Sequence, residues 1–231
     1  MSLKIKKFNR ILMGMIIIFF IAVPPIWPAE PLKLAYVEWS SSIAGNYLIQ
    51  AVLEHKLGKK CELISMTADE MWKAVASKKA DAMISAWLPD VHGHYYREVK
   101  EKVVNLGPNL EGTKTGLIVP YIFEGRLTTG TGIRNRPVIS VDAIPELSDY
   151  ADKFNNRIVG IDPEAGLMKM ARDAMQAYDL TEYRLIEGSE ISMVAELSHA
   201  IRHQKWIVVT GWKPHWRSEE RRVGKECATG C

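Results

Sequence analysis

The chain has 231 residues, 47% hydrophobic and 25% charged, a balance that excludes a disordered polypeptide and suffices for two modest lobes. Its net charge of +3 becomes −1 once the four cations near the amino end, Lys4, Lys6, Lys7 and Arg10, are set aside, so no basic surface points to nucleic acid. The three cysteines, Cys61, Cys227 and Cys231, form no evident disulfide framework, and Cys61 reads as a buried strand residue.

Those four cations precede an apolar run from Ile11 to Val23, followed by Pro24, Pro25 and Ala29. This is the pattern of a secretory signal over residues 1–29. The run falls short of the roughly 20 residues a membrane-spanning helix needs. No cysteine follows it to carry a lipid, so the expected location is the periplasm.

Leu32 to Val37 alternates like a strand, and Ile43 to Leu57 carries apolar residues at helical spacing up to Gly58. Cys61 to Met66 reads as a second strand, Thr67 or Ala68 starts a helix through Ala76, and Asp81 to Trp87 reads as a third strand. Such a β-α-β-α-β rhythm calls for a parallel sheet with right-handed crossovers, and ligands bind such sheets beyond the carboxyl ends of their strands. Gly116 to Pro120 is another apolar run. Glu124 to Pro137, rich in Gly, Thr and Arg without periodicity, reads as a crossing between lobes.

A second α/β rhythm follows. Helical patterns at Asp142 to Phe154, Gly166 to Tyr178 and Ser189 to His203 alternate with strand patterns at Arg157 to Ile161, Tyr183 to Ile186 and Trp206 to Thr210. The predicted fold class is therefore α/β, with two lobes facing each other as a clamshell. Residues 30–122 form lobe 1, 123–205 lobe 2, and 206–216 a return strand toward lobe 1. Residues 217–231, about half charged with a single branched apolar residue, read as a non-native tail.

The tryptophans carry the first functional signal. Trp72, on the inner face of a helix, and Trp206, opening a strand, read as packing residues. Trp39, Trp87 and Trp212 each end an apolar strand and precede polar or turn residues, where a side chain faces a cleft. Indole faces suit a quaternary ammonium, which has no N–H to donate: they supply apolar contact for its methyls and a negative quadrupole for its charge.

His92 and His94 with Asp90 leave several readings open: surface histidines, two ligands of a metal site, or a donor to an anion in the cleft. Asp162 to Met168 follows a strand and opens a helix, so its free N–H groups form an anion site, and Gly166 permits close backbone approach. Aromatic faces in one lobe and backbone donors in the other would together hold a small zwitterion.

LAYVEW (Leu34 to Trp39), SAWLPDVH (Ser85 to His92), GLIVP (Gly116 to Pro120), GIDPEAGLM (Gly160 to Met168) and TGWKPHW (Thr210 to Trp216) resemble the glycine betaine-binding proteins of osmoprotectant ABC transporters. The resemblance runs in order from about Leu32 to Trp216. It implies a two-lobed periplasmic-binding-protein clamshell, type II-like, that acts as a monomer without cofactor or metal and delivers its ligand to a membrane permease. By motif position it also implies a cage of Trp39, Trp87 and Trp212, with the ligand carboxylate held by His92 and by the amides of Gly166 and Leu167.

Two features depart from the family pattern. Glu164 stands where small residues are common, and a carboxylate near an anion site costs affinity unless it faces solvent. Family members also continue for several dozen residues beyond the last motif, so the first lobe is expected to be incomplete. Choline or carnitine on the same scaffold is the alternative ligand. A hydrolase using His92, His94, Asp90 and a metal is the alternative class, and it lacks a nucleophile motif.

Overall fold

A computed structural model describes residues 30–120, 122 and 138–215. The signal at 1–29, the crossing at Glu124 to Pro137, Trp216, and the tail with Cys227 and Cys231 lie outside the described residues.

Strand β1 (Leu32–Tyr36) runs parallel to β2 (Cys61–Ser65), with Leu34 opposite Leu63. Helix α1 (Ser40–Leu57) connects them. It stops at Gly58, whose φ of 61° is a conformation glycine adopts without Cβ strain. The apolar spacing read in α1 does not translate into a buried face: Ser42 and Asn46 are its buried residues, while Tyr47, Leu48, Val52 and Leu57 are exposed. Helix α2 (Ala68–Ala76) begins as read, because Thr67 and Glu70 form a reciprocal capping box. Its inner face buries Met71 and Trp72, the latter as read.

The third strand read at Asp81 to Trp87 is corrected. Only Ala82 bridges to β1, opposite Leu34, with Ala35 N–H donating to its carbonyl at 3.0 Å. Beyond that point side chains draw the backbone away from the sheet. Asn109 Nδ2 donates to the Ile84 carbonyl at 2.9 Å, and the Ser85 hydroxyl to Ser42 Oγ at 2.7 Å. Trp87 therefore sits on a loop and not at a strand end. A short helix, α3 (Gly93–Val99), follows His92.

The second sheet has the order β3-β6-β4-β5, from β3 (Lys114–Ile118), β4 (Arg157–Val159), β5 (Arg184–Ile186) and β6 (Val208–Lys213). β4 is parallel to both β5 and β6, while β3 is antiparallel to β6 with Thr115 opposite Trp212. Both β3 and the strand read as returning to the first lobe are thus hydrogen-bonded into the second sheet. Helices α4 (Gly166–Ala177) and α5 (Glu190–Arg202) complete this half, α5 capped by Ser189. The pattern at Asp142 to Phe154 appears as a 3-10 segment, Ile144–Phe154, kinked at Tyr150.

One apolar cluster packs Leu147, Phe154, Ile158, Leu180 and Val208 under the second sheet, and Trp206 lies against it. Another joins the two sheets: Ala35, Met71 and Trp72 from the first side share it with Met168, Leu197 and Trp212 from the second. Each large side chain so buried contributes on the order of 2 kcal/mol. The site lies along this shared seam.

Candidate functional site

The turn after β1, the Trp87 loop, the end of β6 and the start of α4 build the site. After β1, the chain reverses direction at Trp39, which is the N-cap of α1 and nearly fully buried. Its indole N–H donates to Asp162 Oδ2 at 3.4 Å, across from the first sheet to the segment after β4. Trp212 lies near the end of β6, where alternation puts it on the face shared with Thr115 of β3.

The Trp87 loop is closed by a reciprocal pair of bonds. His92 N–H donates to the Trp87 carbonyl at 2.8 Å, and Trp87 N–H donates to His92 Nδ1 at 3.1 Å. That second bond fixes the tautomer, because an Nδ1 that accepts leaves the ring proton on Nε2. His92 is fully buried, with ring centroids of Trp39, Trp72 and Tyr95 at 5.9, 6.0 and 5.7 Å. Burial, and secondarily the neighbouring His94, lowers its pKa from 6.5 to about 3, so the ring is neutral in the physiological range. Its Nε2 has no hydrogen-bond partner among the described residues. A buried N–H left in this way costs about 1 to 3 kcal/mol, which a ligand acceptor would recover.

Opposite stands the start of α4. Gly166 and Leu167 are its first residues, and no side chain caps it. First-turn amides have no intrahelical acceptor, and the helix dipole adds partial positive charge there. Gly166 carries a constraint that close ligand approach alone does not explain. A Cβ at this position would stand 2.1 Å from the Val91 carbonyl oxygen, so the α4 start and the loop before His92 are in backbone contact. Tyr95 reinforces the junction, its hydroxyl donating to the Glu164 carbonyl at 2.7 Å. Glu164 itself is exposed and does not line the cleft.

Between these parts lies a cleft with about 340 Å³ of empty space, part of it open to solvent. Trp39, Trp87, Trp212, His92, Gly166 and Leu167 all line it, joined by Thr115 and Val91 among others, and among the described residues no Asp or Glu is in the lining. The chemistry on offer is therefore apolar and aromatic on one side, with neutral N–H donors on the other.

His94 does not join His92 as a ligand pair; it packs on Tyr95 with centroids 3.9 Å apart. Among the described residues no group of three or more His, Cys, Asp or Glu is placed to hold a metal. Nor is any described helix long and apolar enough to cross a membrane. Sequence reading missed a buried network beside the cavity, in which Glu190 accepts hydrogen bonds from Ser40 and His215. The only sequence signal for it was His215, inside the motif quoted for Trp212.

Residues 30–223 match the family described as the substrate binding domain of ABC-type glycine betaine transport systems. A crystal structure of the glycine betaine, L-proline ABC transporter binding protein ProX from Borrelia burgdorferi is 33% identical, with a TM-score of 0.75 over 85% of this chain and 68% of that one. Lactococcal OpuAC, in its closed form complexed with glycine betaine, is 32% identical, with a TM-score of 0.72 over 86% of this chain and 71% of that one. The glycine betaine/carnitine transport binding protein GbuC of Listeria monocytogenes is 43% identical over 91 residues, 39% of this chain. The match spans 30% of that relative's length.

Proposed function

Because the chain belongs to the substrate-binding domain family of ABC-type glycine betaine transport systems, we propose that its cleft captures glycine betaine for uptake as an osmoprotectant. Trp39, Trp87 and Trp212 surround the trimethylammonium group, each desolvated indole face contributing about 0.5 to 2 kcal/mol. His92 donates its Nε2–H to the ligand carboxylate, and the Gly166 and Leu167 amides donate from the other side. No bond is made or broken in the process, in keeping with a family of transport components.

The observation that carries the proposal is the buried, neutral His92 with an unpartnered Nε2, set in the wall of the same cavity as three indoles. A donor of that kind suits an anion, and the lack of carboxylates among the described lining residues suits a ligand that brings its own negative charge. Choline, a cation without a carboxylate, would leave both His92 and the α4 amides idle.

Binding then favours the closed cleft, because only there do the indoles and the helix amides reach one ligand together. The protein works as a monomer in the periplasm and hands its cargo to a membrane permease. Calorimetric titration tests the assignment: glycine betaine binds with measurable heat and excess choline does not displace it. Displacement by choline at comparable concentration would reassign the site to choline.

A further inference from the structure

Beside the cage lies a carboxylate that ligand binding does not use. Glu190, the first residue of α5, is only 5% exposed and is bonded to two segments distant from it in sequence. One of its oxygens accepts from Ser40 N–H at 2.8 Å, and the other accepts from the Ser40 hydroxyl and from His215 Nε2, the latter at 2.9 Å. Burial pushes the Glu190 carboxyl up, but the bonds from His215 and from the Ser40 hydroxyl and amide outweigh it and hold the group below its ordinary value.

Ser40 follows Trp39 directly. His215 packs edge-on against the Trp212 ring with centroids 4.6 Å apart. One carboxylate therefore stands between two of the three cage indoles, held to each through a single intermediate residue. Serine, histidine and glutamate suggest a hydrolytic triad, but here the serine hydroxyl and the histidine both donate to the carboxylate. The histidine is thus not arranged to take the serine proton.

We propose that Glu190 is a positioning residue that fixes the spacing of Trp39 and Trp212 through Ser40 and His215, and so sets the preference of the cage for a fully methylated nitrogen; the inference rests on the binding reading above. A carboxylate accepts three such bonds, whereas the isosteric amide has one acceptor oxygen and presents its NH2 to donors. Replacing it loosens the frame without removing an indole. A cage of fixed width rewards three methyl groups, and a slackened one discriminates less.

The test measures glycine betaine and dimethylglycine, which lacks one methyl, against wild type and Glu190→Gln, with a melting curve for each protein. Glu190→Gln is expected to lose about tenfold in glycine betaine affinity and clearly less for dimethylglycine, so that the ratio of the two affinities falls at least about threefold. A ratio equal to that of wild type, including the case where both affinities drop in step with the melting temperature, overturns the proposal and leaves Glu190 a scaffold residue. Should Glu190→Gln fail to fold, Ser40→Ala decides. It removes only the hydroxyl and keeps the backbone bond, and the ratio should still fall by about twofold, an unchanged ratio overturning the proposal. Wild-type protein that binds neither compound defeats the binding reading and this inference together, whereas wild-type binding with unchanged ratios defeats this inference alone.

Discussion

Two turns in this chain carry nearly the same letters, Trp87-Leu88-Pro89 leading to His92 and Trp212-Lys213-Pro214 leading to His215, and the protein puts them to different uses. Both tryptophans line the cavity and both histidines are buried. At the first turn the histidine folds back on its own tryptophan, accepting that residue's N–H on Nδ1, and its Nε2 has no partner among the described residues. At the second, a carboxylate 25 positions earlier in the chain takes the Nε2 at 2.9 Å. What a buried histidine does is thus decided by whether an acceptor already meets it. His92 keeps an Nε2 that no described residue meets, while the Nε2 of His215 is tied to Glu190.

The largest effect that would sharpen this contrast is expected from His92→Phe, which keeps a ring and removes both the Nε2 donor and the Nδ1 that accepts the Trp87 N–H. Losing a hydrogen bond to a charged carboxylate should weaken glycine betaine binding by about ten- to a hundredfold. A titration showing less than a twofold change would make His92 a structural residue, as His215 is.

Next comes Gly166→Ala. The added methyl would meet the Val91 carbonyl at 2.1 Å, so the α4 start must draw back from the loop carrying Trp87 and His92. Affinity should fall about tenfold, with a smaller loss in the melting temperature of the ligand-free protein. Equal affinity would mean that binding does not require this backbone contact.

The smallest effect is one of pH. Since burial keeps His92 neutral down to about pH 3, glycine betaine affinity should change less than about twofold between pH 5.5 and 8. A steady loss of affinity on raising the pH through 6.5 would show that an imidazolium binds the ligand. Stability, by contrast, should respond to acid. The unfolded chain protonates His92 near 6.5 and the folded protein only near 3, so stability present above pH 6.5 is lost as pH falls through that window. Glu190, also lowered, adds a loss of the same sign below its ordinary value of 4.5.

Much of the frame could be read from local signals. Thr67 with Glu70, Gly58 and Ser189 mark helix ends by the bonds their side chains or dihedrals allow, and the structure puts the ends within a residue or two of those marks. Where tertiary contacts decide, local signals mislead. The apolar run from Ala82 to Trp87 has the composition of a buried strand, yet Ser42 and Asn109 pull it off the sheet. The spacing within α1 predicts a buried face, yet Tyr47, Leu48 and Val52 are exposed.

The six residues singled out for binding each sit in a short motif with its own chemical reason, and the structure brings all of them to one cavity. The reason offered for Gly166 was incomplete, since the backbone it admits is that of Val91. Glu190 was not legible at all. An acidic residue in the first turn of a helix reads as a partner for the helix dipole, and nothing in the sequence links it to Ser40, 150 positions away.

The cage itself is tested most directly by titrating glycine betaine into Trp87→Ala. This variant removes one indole from the cavity wall and leaves the Trp87 N–H bond to His92 available. A loss of at least tenfold, about 1.4 kcal/mol, is expected. Affinity equal to that of wild type would contradict a site built on aromatic faces.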